Sequence, residues 1–557
     1  MRIAPALFAV SLVASAAAAP ERFDLIVRNG TVYDGTGAPG RRADVGVLGD
    51  KIAAVGDLSE ARAGRTVDAK GMAVAPGFIN MLSWATDSLI ADGRSQSDIR
   101  QGVTLEIFGE GWSMGPLNDA MKKEAKEQQG DIKYEIDWTS LGQYLDRLVA
   151  RGISPNVASF VGATTVRIHE LGYADREPTP DELNRMEDLV RQAMREGALG
   201  VGASLIYAPA FYAKPPELLA LAKAGGELGG GYVAHLRSEA NRLLEATDEL
   251  IGIARDAKVH GEVYHLKAAG QSNWPKMADV VARIGTARAA GISVSANMYT
   301  YVAGATGLDA AMPPWVQEGG LDAWVKRLED PATRERVIGE MRRPTDAWEN
   351  LWLMAGSPDR VKFIGFKTAG LKPLTGMTLA QVMKKRGTSA EDTMIDLVIQ
   401  DHSRIETAYF LMSEDNVKLG IKQPWVAFGS DAESSAPEGV FLKSSTHPRA
   451  YGNFARLLGH YVREENVITL PDAIRRLTKL PAENWKLANR GCFDSGCYAD
   501  LVVFDPAKII DHATFDKPQQ FATGVSDVFV NGTQVLKNGK HTGAKPGRVV
   551  HGPGWAR

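Results

Sequence analysis

Cysteine is nearly absent from this chain: 557 residues contain two, Cys492 and Cys497. That scarcity excludes a cysteine-rich metal scaffold and a disulfide-dense small domain. In Arg490-Gly-Cys-Phe-Asp-Ser-Gly-Cys-Tyr498 the pair has two readings, a small disulfide loop across a turn or two buried small side chains. An excess of one charge is missing too. Lys+Arg total 64 against Asp+Glu 67, a formal net charge of -3, and no basic run is interleaved with aromatics. Nucleic acid is therefore excluded as an expected partner. Long apolar runs are also lacking after the first twenty or so residues, so no later segment reads as a membrane span.

What is present is a large globular composition, 44% hydrophobic and 24% charged, enough to bury more than one small core. The start reads as a secretory signal: Arg2, an apolar run from Ala4 to Val13, then small residues through Ala19-Pro20. Cleavage is expected near Ala19, leaving a periplasmic or secreted bacterial protein with no stable membrane insertion.

Both ends of the remaining chain alternate in the manner of strands. Phe23-Asp-Leu-Ile-Val-Arg-Asn-Gly30 and its continuation read as a hairpin turning at Asn29-Gly30, and residues 44–56 repeat the pattern. Residues 499–505 and 528–536 match them at the other end, which predicts a discontinuous β-sandwich from 20–72 and 485–550. Between the two lie short apolar runs at 72–82, 103–109, 157–162, 198–204, 231–235, 262–265, 294–299 and 425–430, separated by amphipathic stretches such as 180–196, 217–224 and 240–258. This predicts an α/β fold, a (β/α)8 TIM barrel over 73–484, whose functional groups sit at the C-terminal strand ends. The gap from Tyr301 to Trp425 exceeds one crossover helix, so an inserted subdomain is expected at roughly 310–365.

Two of these runs end in histidine: Gly230-Gly-Tyr-Val-Ala-His235 and Val259-His-Gly-Glu-Val-Tyr-His265. The second run ends in Glu106-Ile-Phe-Gly-Glu110 and the eighth in Phe428-Gly-Ser-Asp431. Two imidazoles and two carboxylates on one rim satisfy a catalytic zinc with an open position, plus one acid to move protons. Singly, each has a bland explanation: a hydrogen-bonded core histidine, a solvated turn glutamate, a capping aspartate. The set is what carries meaning. His169, His402, His460, His512, His541 and His551 fall in helical or loop contexts and read as structural or exposed.

The motifs Pro76-Gly-Phe-Ile-Asn80, Gly197-Ala-Leu-Gly, Leu205-Ile-Tyr-Ala-Pro, His235-Leu-Arg-Ser-Glu, His265-Leu-Lys, Tyr299-Thr-Tyr, Gly429-Ser-Asp431, His447-Pro-Arg449 and Ala499-Asp-Leu-Val-Val-Phe-Asp together resemble the N-acyl-D-amino-acid deacylase (D-aminoacylase) branch of the amidohydrolase superfamily. The resemblance implies hydrolysis of an N-acyl amino acid or dipeptide-like small molecule. It implies zinc on Glu110, His235 and His265, Asp431 as acid/base, and Lys267, Tyr299 and Arg449 around the substrate carboxylate.

One departure is large. The superfamily's His-x-His after the first strand is replaced by Leu82-Ser-Trp84, so one zinc ion is expected rather than two. Glu110 stands where relatives have Cys or Glu, and Ala163 where they often have His. Trp84 and Trp112 are candidates for an apolar wall around the acyl group or for simple packing. Two other readings stay open: a cyclic-amide hydrolase of the hydantoinase or dihydroorotase kind, for which the fourth strand lacks the usual lysine, and a non-catalytic ligand-binding homologue.

Overall fold

The computed structural model describes residues 22–556, so the segment read as a secretory signal lies outside the described residues. Among those described, no helix is long and apolar enough to cross a membrane. The two ends of the chain meet in one nine-stranded sheet. Its junction is the antiparallel pairing of Ala73–Pro76 with Leu501–Phe504. Leu25, Val27, Val45, Val47, Leu501, Val503 and Phe529 supply the core beneath it. Each such side chain, fully buried, contributes about 1.5–3 kcal/mol.

Arg22–Val32 does not turn back at Asn29-Gly30; it bulges there and continues. Asn29 takes a left-handed φ of 64°, with its N–H on Asp44 and its side-chain amide on Asp68. The hairpin partner is instead Arg41–Leu48, joined to Lys51–Gly56 through Gly49-Asp50. Cys492 and Cys497 are disulfide-bonded, their Cα atoms 6.0 Å apart.

The apolar runs form eight parallel staves: β1 Phe78–Asn80, β2 Val103–Phe108, β3 Asn156–Ser159 resuming at Val161–Gly162, β4 Gly200–Ser204, β5 Gly231–His235, β6 Gly261–Val263, β7 Val294–Met298 and β8 Val426–Phe428. The ring closes where Met81 N–H donates to Phe428 O at 3.1 Å and Asp431 N–H to Leu82 O at 2.8 Å. The run 72–82 is therefore two strands. Its break falls at Gly77, where a Cβ would lie 2.1 Å from Thr104 Oγ1. Ile79, Leu105, Ile107, Phe160, Val233 and Tyr264 fill the interior, with Trp485 packed edge-on against Phe160 at 4.5 Å.

Helices Pro180–Arg195, Pro215–Gly226 and Leu243–Ala257 occupy the predicted amphipathic stretches, the first started by a Thr179/Glu182 capping box. The inserted body extends beyond the expected 310–365. Its antiparallel sheet joins Gly304–Gly307, Glu406–Tyr409 and Val361–Phe363, and its own core runs from Leu308 to Leu411. Local patterning could not show this, because the strand that closes the sheet returns about a hundred residues later.

Candidate active site

His235 is the last residue of β5, and its side chain follows directly from the strand's alternation. The other groups need special backbone. His265 and Asp431 sit just past β6 and β8 in left-handed conformations, φ 34° and 50°. Such positions cost on the order of 1–3 kcal/mol and persist only when their surroundings hold them. Here they do: His265 N–H donates to Asn297 Oδ1 at 2.9 Å, and Asn297 in turn donates to buried Glu262 at 2.7 Å. On the other side Asn80 Oδ1 accepts the Ser430 N–H at 2.8 Å. Glu110 is flanked by Gly109 and Gly111, both at positive φ, and a Cβ on Gly111 would lie 2.0 Å from Ser204 Oγ. Bulkier neighbours would keep Glu110 out of the barrel mouth.

These turns bring Glu110, His235 and His265 together, each at least nine-tenths buried. Glu110 Oε1 lies 2.7 Å from His265 Nε2 and 3.2 Å from His235 Nδ1. One donor atom from each lies within 4.8 Å of the others. Bonds of about 2.0–2.1 Å at tetrahedral angles separate donors by about 3.3 Å, so small relaxations admit a divalent ion. The donor chemistry, one carboxylate and two imidazoles, suits zinc.

Behind them stands Glu239, to which the sequence reading gave no role. Its carboxylate accepts from Lys267 Nζ at 2.6 Å and lies 3.0 Å from His265 Nδ1 and 3.5 Å from His235 Nε2. A carboxylate behind ligating imidazoles fixes their tautomers and raises their basicity. The available signal was the four-residue spacing from His235. Burial and Lys267 push the His265 imidazole down, but Glu110 and Glu239 outweigh them and lift it to about 9 in the ion-free site. Burial pushes Glu110 up, but His265 and His235 hold it well below the usual carboxylate range.

Asp431 occupies the other side. Trp84 Nε1 donates to its Oδ1 at 3.1 Å, and Arg449 Nη1 lies 2.8 Å from Oδ2. Burial raises the Asp431 carboxyl, with Arg449 opposing. Trp84 is therefore a hydrogen-bond donor to Asp431 as well as an apolar wall. Leu82 packs into the barrel core, and its carbonyl accepts the Asp431 N–H. Arg449 lies over the Tyr299 ring at 4.5 Å and Lys267 at 5.7 Å from its centre. Burial pushes the Tyr299 phenol up to about 12 against both cations, so it is a neutral donor at ordinary pH. Lys267 is committed to Glu239 and Arg449 Nη1 to Asp431, while Arg449 Nε has no hydrogen-bond partner among the described residues.

Two cavities adjoin these groups. One, of about 450 Å³, has Asp431, Arg449, Trp112 and Tyr207 in its wall. A narrower chamber of about 160 Å³ is lined by Trp84, Trp112, Met114, Leu117 and Ile168, and shares Trp112, Glu124, Gln128 and Tyr173 with the first. Ala163 is buried and starts the helix after β3. The histidines read as structural have ordinary partners: His169 with Glu170, His402 with Asp322, His460 with Glu464, His512 with Thr523, His541 with Ser154, and His551 stacked on Trp555.

Residues 102–536 match the model described as "Amidohydrolase family". The chain belongs to that family. This amidohydrolase is 33% identical over 532 residues to a D-aminoacylase of Alcaligenes xylosoxydans xylosoxydans, covering 95% of this chain and 97% of the relative. A D-aminoacylase structure, from work on its binuclear metal centre that describes one-metal activation and second-metal attenuation, superposes with a TM-score of 0.79 at 32% identity, covering 95% of this chain and all of that one. The N-acyl-D-glutamate deacylase of Bordetella bronchiseptica, solved with zinc and a phosphonate mimic of the tetrahedral intermediate, gives 0.77 at 28% identity over 95% of this amidohydrolase and 100% of that chain.

Proposed function

We propose that this amidohydrolase is a zinc-dependent deacylase that cleaves the amide of N-acyl amino acids, of the D series for which its relatives are named. The observation that carries the reading is the buried Glu110, His235 and His265 cluster with Asp431 held beside it. These three residues would hold one zinc ion, which when bound polarises a substrate carbonyl and makes water acidic enough to attack near neutral pH. Asp431 takes the proton of the attacking water and delivers it to the amide nitrogen, so that a carboxylic acid and a free amine leave. Arg449, through the part of its guanidinium not paired with Asp431, binds the substrate carboxylate, assisted by the Tyr299 hydroxyl and the positive charge of Lys267. The acyl group enters the chamber between Trp84 and Trp112.

A single ion is proposed because Leu82 and Trp84 offer it no second set of ligands. The signal-like start supports a periplasmic or secreted location. A cyclic-amide substrate is disfavoured, since β4 ends in Ser204 rather than a lysine. The test combines metal analysis with turnover of N-acetyl-D-amino acids: about one zinc per chain, and loss of roughly 10²–10⁴-fold in Asp431→Asn. Two tightly held equivalents would refute the single-ion site, and full turnover in Asp431→Asn would remove the proposed base.

A further inference from the structure

The 160 Å³ chamber beside Asp431 has a wall whose polar groups are already spent on protein partners. Ser83 Oγ donates to Glu106 at 2.7 Å, Ser113 Oγ to the Gly115 carbonyl at 2.6 Å, and the Tyr134 hydroxyl to Asp87 at 2.8 Å. Trp138 Nε1 donates to the Met114 carbonyl at 2.6 Å, and the Tyr173 hydroxyl to Glu124 at 2.8 Å. Among the described residues no Lys, Arg or His lines the chamber, and its one acid, Glu124, is shared with the larger cavity. A charged guest would lose its hydration here without meeting a counter-charge.

What the wall does offer is apolar surface that the fold leaves unfinished. Trp112, Met114, Tyr134, Ile136 and Tyr173 pack against the main core and are still only part-buried. An apolar guest would complete their burial. The volume sets its size, because an apolar cavity of about 150 Å³ stays dry and takes one benzene ring. Position then decides which part of the substrate enters. Trp84 lines the chamber while its indole N–H donates to Asp431 Oδ1 at 3.1 Å, and Gly109, next to Glu110, belongs to the same wall. A carbonyl attacked beside Asp431 therefore needs only a short link to seat a ring among Trp84, Trp112 and Trp138. Acetyl would leave the chamber unfilled, and a long alkyl chain would exceed it.

We infer that the preferred acyl group is a single-ring arylacyl group, phenylacetyl-like, rather than acetyl. This rests on the deacylase reading and names the substrate class of that site.

The experiment uses the zinc-loaded full chain. Specificity constants are compared for D-leucine carrying acetyl, hexanoyl, dodecanoyl, phenylacetyl or 4-carboxyphenylacetyl on its nitrogen, and calorimetry compares binding of free phenylacetate and acetate. Phenylacetyl should be preferred over acetyl roughly ten- to hundredfold, the worth of fully burying a phenylalanine-sized side chain. The 4-carboxy compound should lose that advantage. Ala125 lines the chamber from helix Asp119–Gln128 and belongs to neither the zinc ligands nor the carboxylate-binding groups. Ala125→Leu, which fills the space, should cut the phenylacetyl-to-acetyl ratio at least tenfold and leave acetyl turnover unchanged. Acetyl, hexanoyl or dodecanoyl matching or exceeding phenylacetyl overturns the inference and leaves the deacylase reading standing. So does a 4-carboxy compound as good as phenylacetyl, or a ratio unmoved in Ala125→Leu. If no N-acyl amino acid is hydrolysed, the deacylase reading fails, and binding decides: tenfold tighter phenylacetate sustains the aryl chamber, equal binding ends it. Should the variant not fold, the wild-type comparisons alone decide.

Discussion

Replacing Glu239 by Gln tests how far the ligand set depends on its surroundings. The substitution keeps the side-chain shape but removes the charge that lies 2.6 Å from Lys267 Nζ and 3.0 Å from His265 Nδ1. Loss of a carboxylate behind a ligating histidine costs about 10–100-fold in metal affinity. The second consequence is structural. Lys267 is 6% exposed, and among the described residues Glu239 is its one carboxylate partner. A buried charge stripped of its partner destabilises by about 3–5 kcal/mol. Glu239→Gln should therefore bind zinc 10–100-fold more weakly, measured by competition with a chromophoric chelator, and melt several degrees lower. Zinc affinity within twofold of wild type together with an unchanged Tm would refute the reasoning.

Two further outcomes follow from the same geometry. Trp84→Phe removes the donor to Asp431 Oδ1. A hydrogen bond to a charged group contributes about 1.5–3 kcal/mol, which corresponds to about 1–2 pKa units. Because the indole N–H favours the ionised acid, its loss raises the Asp431 pKa, and the acid limb of the kcat/KM profile should move up by about that much; an unmoved limb contradicts the contact's role. In the chelator-treated protein Glu110 and Glu239 should hold the His265 imidazole up to about 9, above its ordinary value of 6.5. The stability it contributes is present below pH 6.5 and lost as pH rises through 9, so Tm of the metal-free protein should fall across that window. The zinc-loaded protein should not show the same fall, since ligation keeps the imidazole neutral.

Much of the scaffold was legible from local pattern. The apolar runs separated by amphipathic stretches located the eight staves, and His235 could be placed at a strand end because side chains alternate with a fixed period. The errors have physical causes. Asn29-Gly30 reads as a two-residue turn, but hydrogen bonds to Asp44 and Asp68 make it a bulge. Residues 72–82 read as one strand because both halves are apolar; the first half pairs with Leu501–Phe504 in the terminal sheet and the second with β2 of the barrel, a division that local pattern does not carry. The inserted body was underestimated because its sheet pairs residues about a hundred positions apart.

The chain's own order of residues determined the fold class, the family, and the set of acids and imidazoles, since periodicity and motif spacing are local properties of a polymer. Only the tertiary structure decided what each group touches. Glu239 behind both imidazoles, the Trp84 indole on Asp431, and Lys267 drawn away to Glu239 all arise where distant segments meet. Their charges and hydrogen bonds act across a few ångströms of space, a distance that separation along the chain does not encode.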